Sequence, residues 1–381
     1  MGPLNGLKVI EMCGLGPGPF CGMLLADMGA DVLRIERAVH GASAMISEMD
    51  PKKDFMARGR RSVIADFKNP ATAAFVLDLI EKAEILFEAS RPGVMERMGL
   101  APDVCLARNP RLVYGRMTGW GQTGPYAQRA GHDINFIGLS GALWSIGRKG
   151  DKPVPPLVLA GNFSGGGMML AMGLMAAVIN ARATGLGQII DASIVEGSSL
   201  MMTMQHALRE MGVVREERGV NLHDTGAHFW EVYETADGRY MAVGAPGPQF
   251  YAKLGEGLGL DSERFAKRRR EDWPALKIEV EQVFKTKTQA EWCAIFDDLD
   301  ASVSPVLSPT EAIQDPHNVA RQSFIEVGGF VQPAPAPRFS RTPSSVSRPP
   351  PAPGEGATEV LKEWGLDEAR IESARTAGII G

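Results

Sequence analysis

The sequence predicts an α/β chain with a Rossmann-like open parallel sheet in a large domain and a smaller α+β domain after it. Two observations carry this. Through the first half, short apolar runs alternate with helical stretches, the pattern of strands joined by helical crossovers. Near Asp224 the pattern changes: Phe229–Thr235 and Arg239–Val243 flank an Ala-Asp-Gly turn and read as a β-hairpin.

Taken in order, Lys8–Met12 is the first strand, a Gly/Pro loop follows, Phe20–Met28 is helical, and Asp31–Glu36 is the second strand. Ser62–Asp66, Ile85–Phe87 and Leu112–Gly115 continue the sheet. The most apolar run, Met168–Ile179, has about a dozen residues, fewer than the ~18 of a membrane span, and reads as a buried helix. Beyond the hairpin come charged helical stretches such as Asp261–Lys285. Gln332–Pro353 holds eight prolines and favours an extended connector. Thr358–Trp364 and Asp367–Ala377 then read as closing helices that need a surface, most simply the first domain. The expected boundaries are 1–223, 224–325 and 326–381.

Composition narrows the function. A net charge of -5 excludes a globally basic, nucleic-acid-binding surface, and no stretch interleaves Lys or Arg with aromatics, so a small-molecule partner is expected. Cys13, Cys21, Cys105 and Cys293 have no metal or redox spacing and read as reduced thiols of a cytoplasmic protein. The amino terminus has no charged segment leading into an apolar one, so no secretion signal is expected, and the shortness of the run Met168–Ile179 argues against a membrane partner.

Four segments carry candidate chemistry. The loop Gly14-Leu-Gly-Pro-Gly-Pro19, with Glu36 about 20 residues on, has the outline of a dinucleotide site. Pro17 and Pro19 lack the N–H groups a pyrophosphate needs, so a structural loop is the better reading. Arg37, Lys52, Lys53, Arg58, Arg60, Arg61 and Arg91 form a basic set that suits phosphate or an ordinary solvated face; several follow strands of one sheet, where such folds bind ligands. His132, in Gly131-His-Asp-Ile-Asn135, is one of six histidines, and its flanking glycine and polar residues suit a positioned base or a plain loop histidine. Gly161-Asn-Phe-Ser-Gly-Gly-Gly167 suits an oxyanion-binding helix start or close helix packing.

Six segments occur in one order: Gly14-Leu-Gly-Pro-Gly-Pro-Phe20, Ala26-Asp-Met-Gly-Ala-Asp31, Arg58-Gly-Arg-Arg-Ser62, Arg91-Pro-Gly-Val-Met-Glu-Arg97, Gly131–Asn135 and Tyr233-Glu-Thr-Ala-Asp-Gly238. Together they resemble the α-methylacyl-CoA racemases of the family III CoA-transferase fold group, over nearly the whole chain. The resemblance implies an interlocked homodimer in which each large domain carries CoA and the partner's small domain closes the active site. It assigns CoA binding to Arg37, Arg61, Ile64, Ala65, Asp66, Phe67, Lys68, Arg91, Gly131, His132, Asp133, Ile134 and Asn135. It implies no metal and no cofactor, the CoA thioester being the substrate.

The chemistry so implied moves the α-proton of a 2-methylacyl-CoA between the two faces of an enolate, with a base on each side. One base maps to His132. The second, an aspartate in the family, maps to Asn162, and a glutamate supporting the histidine maps to Gly247. An amide has no basic lone pair, so Asn162 can hydrogen-bond the thioester oxygen or enolate without carrying a proton. Asp133 is the nearest substitute in sequence. The expected function is therefore epimerisation of 2-methylacyl-CoA thioesters, slowed or altered by Asn162 and Gly247. A family III CoA-transferase and a non-catalytic acyl-CoA binding protein are the alternatives, and Asn162 weighs against a transferase because it cannot form an acyl anhydride. The thioester oxygen is expected near Gly165–Gly167, and Met168, Met169, Met201, Met202 and Met204 offer either a sliding apolar seat or ordinary core packing.

Overall fold

The protein is described by a computed structural model covering residues 2–37, 50–265 and 268–381. It divides into two compact units: Met1–Ser140 with Leu157–Met201 and Val319–Gly381, and Gly141–Pro156 with Met202–Asn318. The smaller unit thus takes in residues 141–156 and starts at Met202, ahead of the hairpin whose change of pattern marks residue 224 in the sequence.

The larger unit is built on six parallel strands: β1 (Lys8–Met12), β2 (Asp31–Arg37), β3 (Arg61–Ala65), β4 (Ile85–Glu88), β5 (Val113–Thr118) and β6 (Gln188–Ser193), in the order β3-β2-β1-β4-β5-β6. Crossovers between parallel strands include α1 (Pro17–Asp27), α2 (Thr72–Ile80), α3 (Pro102–Arg108), α4 (Asp133–Leu139) and α5 (Met169–Thr184). Successive strand residues point to opposite faces, so Ile10, Leu33, Val63 and Leu86 enter one core with Phe75 and Leu79 of α2. Val9, Val32, Ile85 and Val113 enter the other with Leu25 of α1 and Leu170 and Leu174 of α5.

Helix α1 begins three residues earlier than its apolar pattern predicts. Pro17 and Pro19 lie in its first turn, where the N–H they lack would have no helical partner, and proline's fixed φ suits entry. The apolar run at Met168 is also longer than expected. A π-helical segment, Leu159–Met168, leads without a break into α5, giving a helical run Leu159–Thr184 that is long and apolar enough to cross a membrane by length and composition. One face is packed on the sheet through Leu170, Leu174 and Val178, while Met168, Met172 and Ile179 are exposed, so this helix is not buried all round.

The carboxy-terminal segment packs within the same unit. Trp364, fully buried, donates its indole N–H to Asp31 (2.9 Å), and Ile380 bridges Ala65 along the free edge of β3. In the smaller unit, strands Trp230–Glu234 and Tyr240–Gly244 pair antiparallel as the Ala-Asp-Gly turn predicts, and Val303–Pro305 adds a third strand. Within the stretch 261–285 the helices are Ser262–Phe265 and Trp273–Phe284; residues 266–267 lie outside the described residues.

Candidate active site

Strand order reverses between β1 and β4, and open α/β sheets bind ligands beyond the carboxyl ends of the strands at such a point. A cleft of about 230 Å³ lies there. Leu15–Pro17 after β1, Ala89–Pro92 after β4 and Met117–Trp120 at the end of β5 contribute three of its walls; His132, Phe136 and Asn162 complete it. His132 and Asn162, 30 positions apart, are brought together because α4 and the π-helical segment pack side by side.

His132 is the N-cap residue of α4 and is exposed; its backbone N–H is held by the Asn135 side chain (3.0 Å), which fixes the loop that carries the imidazole. Asn162 sits in the widened turn of the π-helix, a geometry that concentrates at functional sites. Gly16, with φ 69°, passes close to it: a β-carbon there would stand 3.1 Å from the Asn162 amide nitrogen.

Asp133 turns away from the cleft. It is buried, and its Oδ1 accepts the backbone N–H of Asn162 at 2.5 Å, while Oδ2 is buried without a hydrogen-bond partner. Burial pushes this carboxyl upward, and the N–H groups of Asn162 and Gly161 pull it part of the way back. Asp133 does not line the cleft, so the structure gives it a positioning part rather than that of a substitute base. Indeed no Asp or Glu lines the cleft among the described residues.

The residues expected around CoA separate into groups. Arg91 and Gly131 line the cleft; Ile134 and Asn135 face an adjoining hollow of about 450 Å³ that also involves Trp120 and Arg129. Arg37 ends β2, exposed, with a contact to Met98 Sδ (3.9 Å). Ile64, Ala65 and Asp66 lie along the sheet edge, where Asp66 N–H donates to Ile379 O and Ile64 O accepts from Gly381 N–H; Phe67 packs against the core beneath, and Lys68 N–H donates to the Asp66 side chain. Arg61 is at the amino end of β3, committed to Asp31 (2.5 Å) and Glu363. Arg58 and Arg60 are likewise internal: Arg58 forks onto Asp27 (2.6 Å) and Arg60 pairs with Glu11 (3.1 Å). These three arginines fasten the fold, and the phosphate reading of the basic set holds no support from them.

Gly165–Gly167 correct another expectation. They do not line the cleft, and they lie inside a continuous helical run, so they present no helix start to a thioester oxygen. Their lack of side chains permits close packing: a β-carbon would meet Ser198 Oγ at 2.6 Å from Gly165, Pro17 Cβ at 2.9 Å from Gly166 and Phe20 Cδ1 at 2.8 Å from Gly167. Met168, Met201 and Met204 are exposed and Met169 and Met202 half-buried, so ordinary core packing does not describe them, and none lines the cleft. Gly247 belongs to the smaller unit, where it caps the helix Pro248–Leu258 with extended backbone that any residue adopts.

Sequence reasoning passed over Trp120, Phe136, Arg129 and Glu88. Trp120 packs edge-on against Tyr126 (5.2 Å) and Phe136 (4.7 Å), walling the cleft. Its signal was the glycine-rich stretch Tyr114–Gln122, in which a lone tryptophan between glycines is conspicuous. Glu88, fully buried at the end of β4, accepts the Ser90 N–H (2.6 Å) and faces Arg116 (3.3 Å), and burial raises its carboxyl to about 7. Among the described residues, no group of three or more His, Cys, Asp or Glu is placed to hold a metal ion.

Comparison with known proteins places this geometry. The model of CoA-transferase family III matches residues 4–357. Among curated proteins, the α-methylacyl-CoA racemase of Mus musculus is 44% identical over 97% of this chain and 95% of its own length, and that of Homo sapiens 42% identical over 99% and 97%. Among solved structures, a CAIB/BAIF family protein from Brucella suis superposes with a TM-score of 0.81 at 26% identity, covering 95% of this chain and 99% of that one. The chain belongs to CoA-transferase family III, alongside the α-methylacyl-CoA racemases.

Proposed function

We propose that this protein binds 2-methylacyl-CoA thioesters in the cleft and exchanges their α-proton through an enolate, with His132 as the base on one face. The observation that carries this is the pairing of His132 and Asn162 as walls of one cleft at the strand carboxyl ends. His132 takes the α-proton, and the amide N–H of Asn162 donates to the enolate or thioester oxygen. No carboxylate stands opposite His132 among the described cleft residues, so proton return on the far face falls to water. Interconversion of epimers is then slower than at a two-base site by about 10²- to 10⁴-fold. The same lack of a nucleophilic carboxylate counts against acyl transfer through an anhydride.

A homodimer fits the exposed apolar side chains. Met168, Met172 and Ile179 recur at helical spacing along the helical run Leu159–Thr184, and Ile189 adds to them on the edge strand β6, a surface that water alone leaves poorly satisfied.

The test is α-proton exchange of (2R)- and (2S)-2-methylacyl-CoA in deuterated water, on this protein and on Asn162→Asp. Exchange of one epimer by the parent and interconversion by Asn162→Asp is expected. Absence of exchange in both, with CoA-thioester binding retained, overturns catalysis in favour of a binding protein.

A further inference from the structure

Arg129 lines the cleft beside Arg91, and nothing in the CoA contacts implied by the family resemblance includes it. The two arginines sit on different loops, and the loops are clasped: the Gln128 side-chain amide donates to the Pro92 carbonyl (3.3 Å). The Arg129 backbone is anchored as well, its carbonyl accepting the Trp120 indole N–H (3.2 Å). Its guanidinium lies over the Tyr126 ring, 4.2 Å from the centroid. Stacking engages the flat face of a guanidinium and leaves its edge, with paired N–H donors, free for an oxyanion.

Charge makes the same point. Arg58, Arg60, Arg61 and Arg116 each pair with carboxylates. Arg91 and Arg129 form no ion pair with a carboxylate among the described residues, although the chain as a whole carries a net charge of -5. Two cations without counter-charges on the rim of one cleft create a local positive potential suited to a doubly charged group.

We infer that Arg91 and Arg129 form a two-arginine clamp for a phosphoryl group of the CoA thioester, with Tyr126 as the shelf that holds Arg129 in place. This rests on the CoA-thioester reading of the cleft. The phosphoryl group belongs either to the diphosphate or to the ribose 3′-phosphate, and the ligands of the test separate the two.

The test measures affinity by titration calorimetry for CoA, 3′-dephospho-CoA and a 2-methylacyl-pantetheine, on the full-length parent, Arg129→Met and Arg129→Lys. Charge-assisted hydrogen bonds of this kind predict a loss of about 10- to 100-fold for CoA in Arg129→Met. Arg129→Lys, which keeps the charge but not the fork, recovers part of it. If the clamp holds the diphosphate, dephospho-CoA suffers the same loss; if it holds the 3′-phosphate, dephospho-CoA binds parent and variant alike. Pantetheine binding is unchanged by the substitution in either case. Equal affinity of parent and Arg129→Met for CoA overturns the clamp while leaving the CoA reading intact, and so does a loss of equal size for the pantetheine. Failure of the parent itself to bind CoA removes the CoA reading and the clamp with it.

Discussion

The Asp133 carboxylate accepts the backbone N–H of Asn162 at 2.5 Å, from a buried position behind the cleft wall. Through this bond the residue after the proposed base holds the residue opposite it. A base and a positioning acceptor differ in what an amide can replace: Asn keeps a carbonyl oxygen for the N–H and has no basic site. Asp133→Asn is therefore expected to keep deuterium exchange within about threefold of the parent, whereas Asp133→Ala strands a buried N–H and loses about 1–3 kcal/mol of stability along with exchange. Exchange kinetics and urea melts on both variants check this, and abolition of exchange in Asp133→Asn would return the base to Asp133.

Gly16 supports the same wall from the other side. Its φ of 69° is unfavourable for a side chain, and a β-carbon would press to 3.1 Å on the Asn162 amide. Gly16→Ala is expected to lose about 1–3 kcal/mol of stability from the backbone alone, since φ 69° with ψ -111° lies outside the regions open to side chains. It should also lower kcat for exchange more than it raises KM, because the displaced group is the one proposed to meet the developing oxyanion. Steady-state exchange rates at several thioester concentrations separate the two parameters.

How far the sequence reads ahead depends on how local the determining interaction is. The β-α-β opening, the Ala-Asp-Gly hairpin and the loop position of His132 follow from neighbours a few residues apart, and the structure has them where the pattern predicts apart from the earlier start of α1. The arginines do not: Arg58, Arg60 and Arg61 look like a phosphate site in sequence because Asp27, Glu11 and Asp31 lie 30 or more positions away. The glycines of 165–167 fail for a similar reason. Their role is set by Pro17, Phe20 and Ser198, which only the packed fold brings against them. Trp120 and Arg129 become functional candidates once Tyr126, Phe136 and Pro92 are seen around them.

Glu88 makes the stability of the larger unit depend on pH. Burial raises its carboxyl from the ordinary 4.5 to about 7, against the pull of the Ser90 N–H and Arg116. A carboxyl raised in the fold keeps its proton there while the unfolded chain has lost it, so its stabilising contribution is complete below about 4.5 and fades as pH climbs to about 7. Glu88→Gln, neutral throughout, should flatten this slope: relative to the variant, the parent loses on the order of 3 kcal/mol between those limits. Denaturant melts at half-unit pH intervals measure the difference, and parallel curves for the two proteins would place the titration elsewhere.

Arg58 distinguishes a structural fastener from a ligand contact. Its guanidinium forks onto Asp27 and also donates to the Gln332 side chain (2.9 Å) and the Pro333 carbonyl (2.7 Å), joining α1 to the segment that follows residue 331. Both partners of the ion pair are almost wholly buried. Removing one partner leaves the other as an uncompensated buried charge, so Arg58→Met is expected to lose about 3–5 kcal/mol. Lysine offers a point charge in place of the fork and cannot reach all three acceptors, so Arg58→Lys should recover only a part. CoA affinity, measured by calorimetry at low temperature where the variants remain folded, should stay within twofold of the parent. A variant with undiminished stability and a tenfold weaker hold on CoA would restore Arg58 to the phosphate site that its place in the sequence suggests.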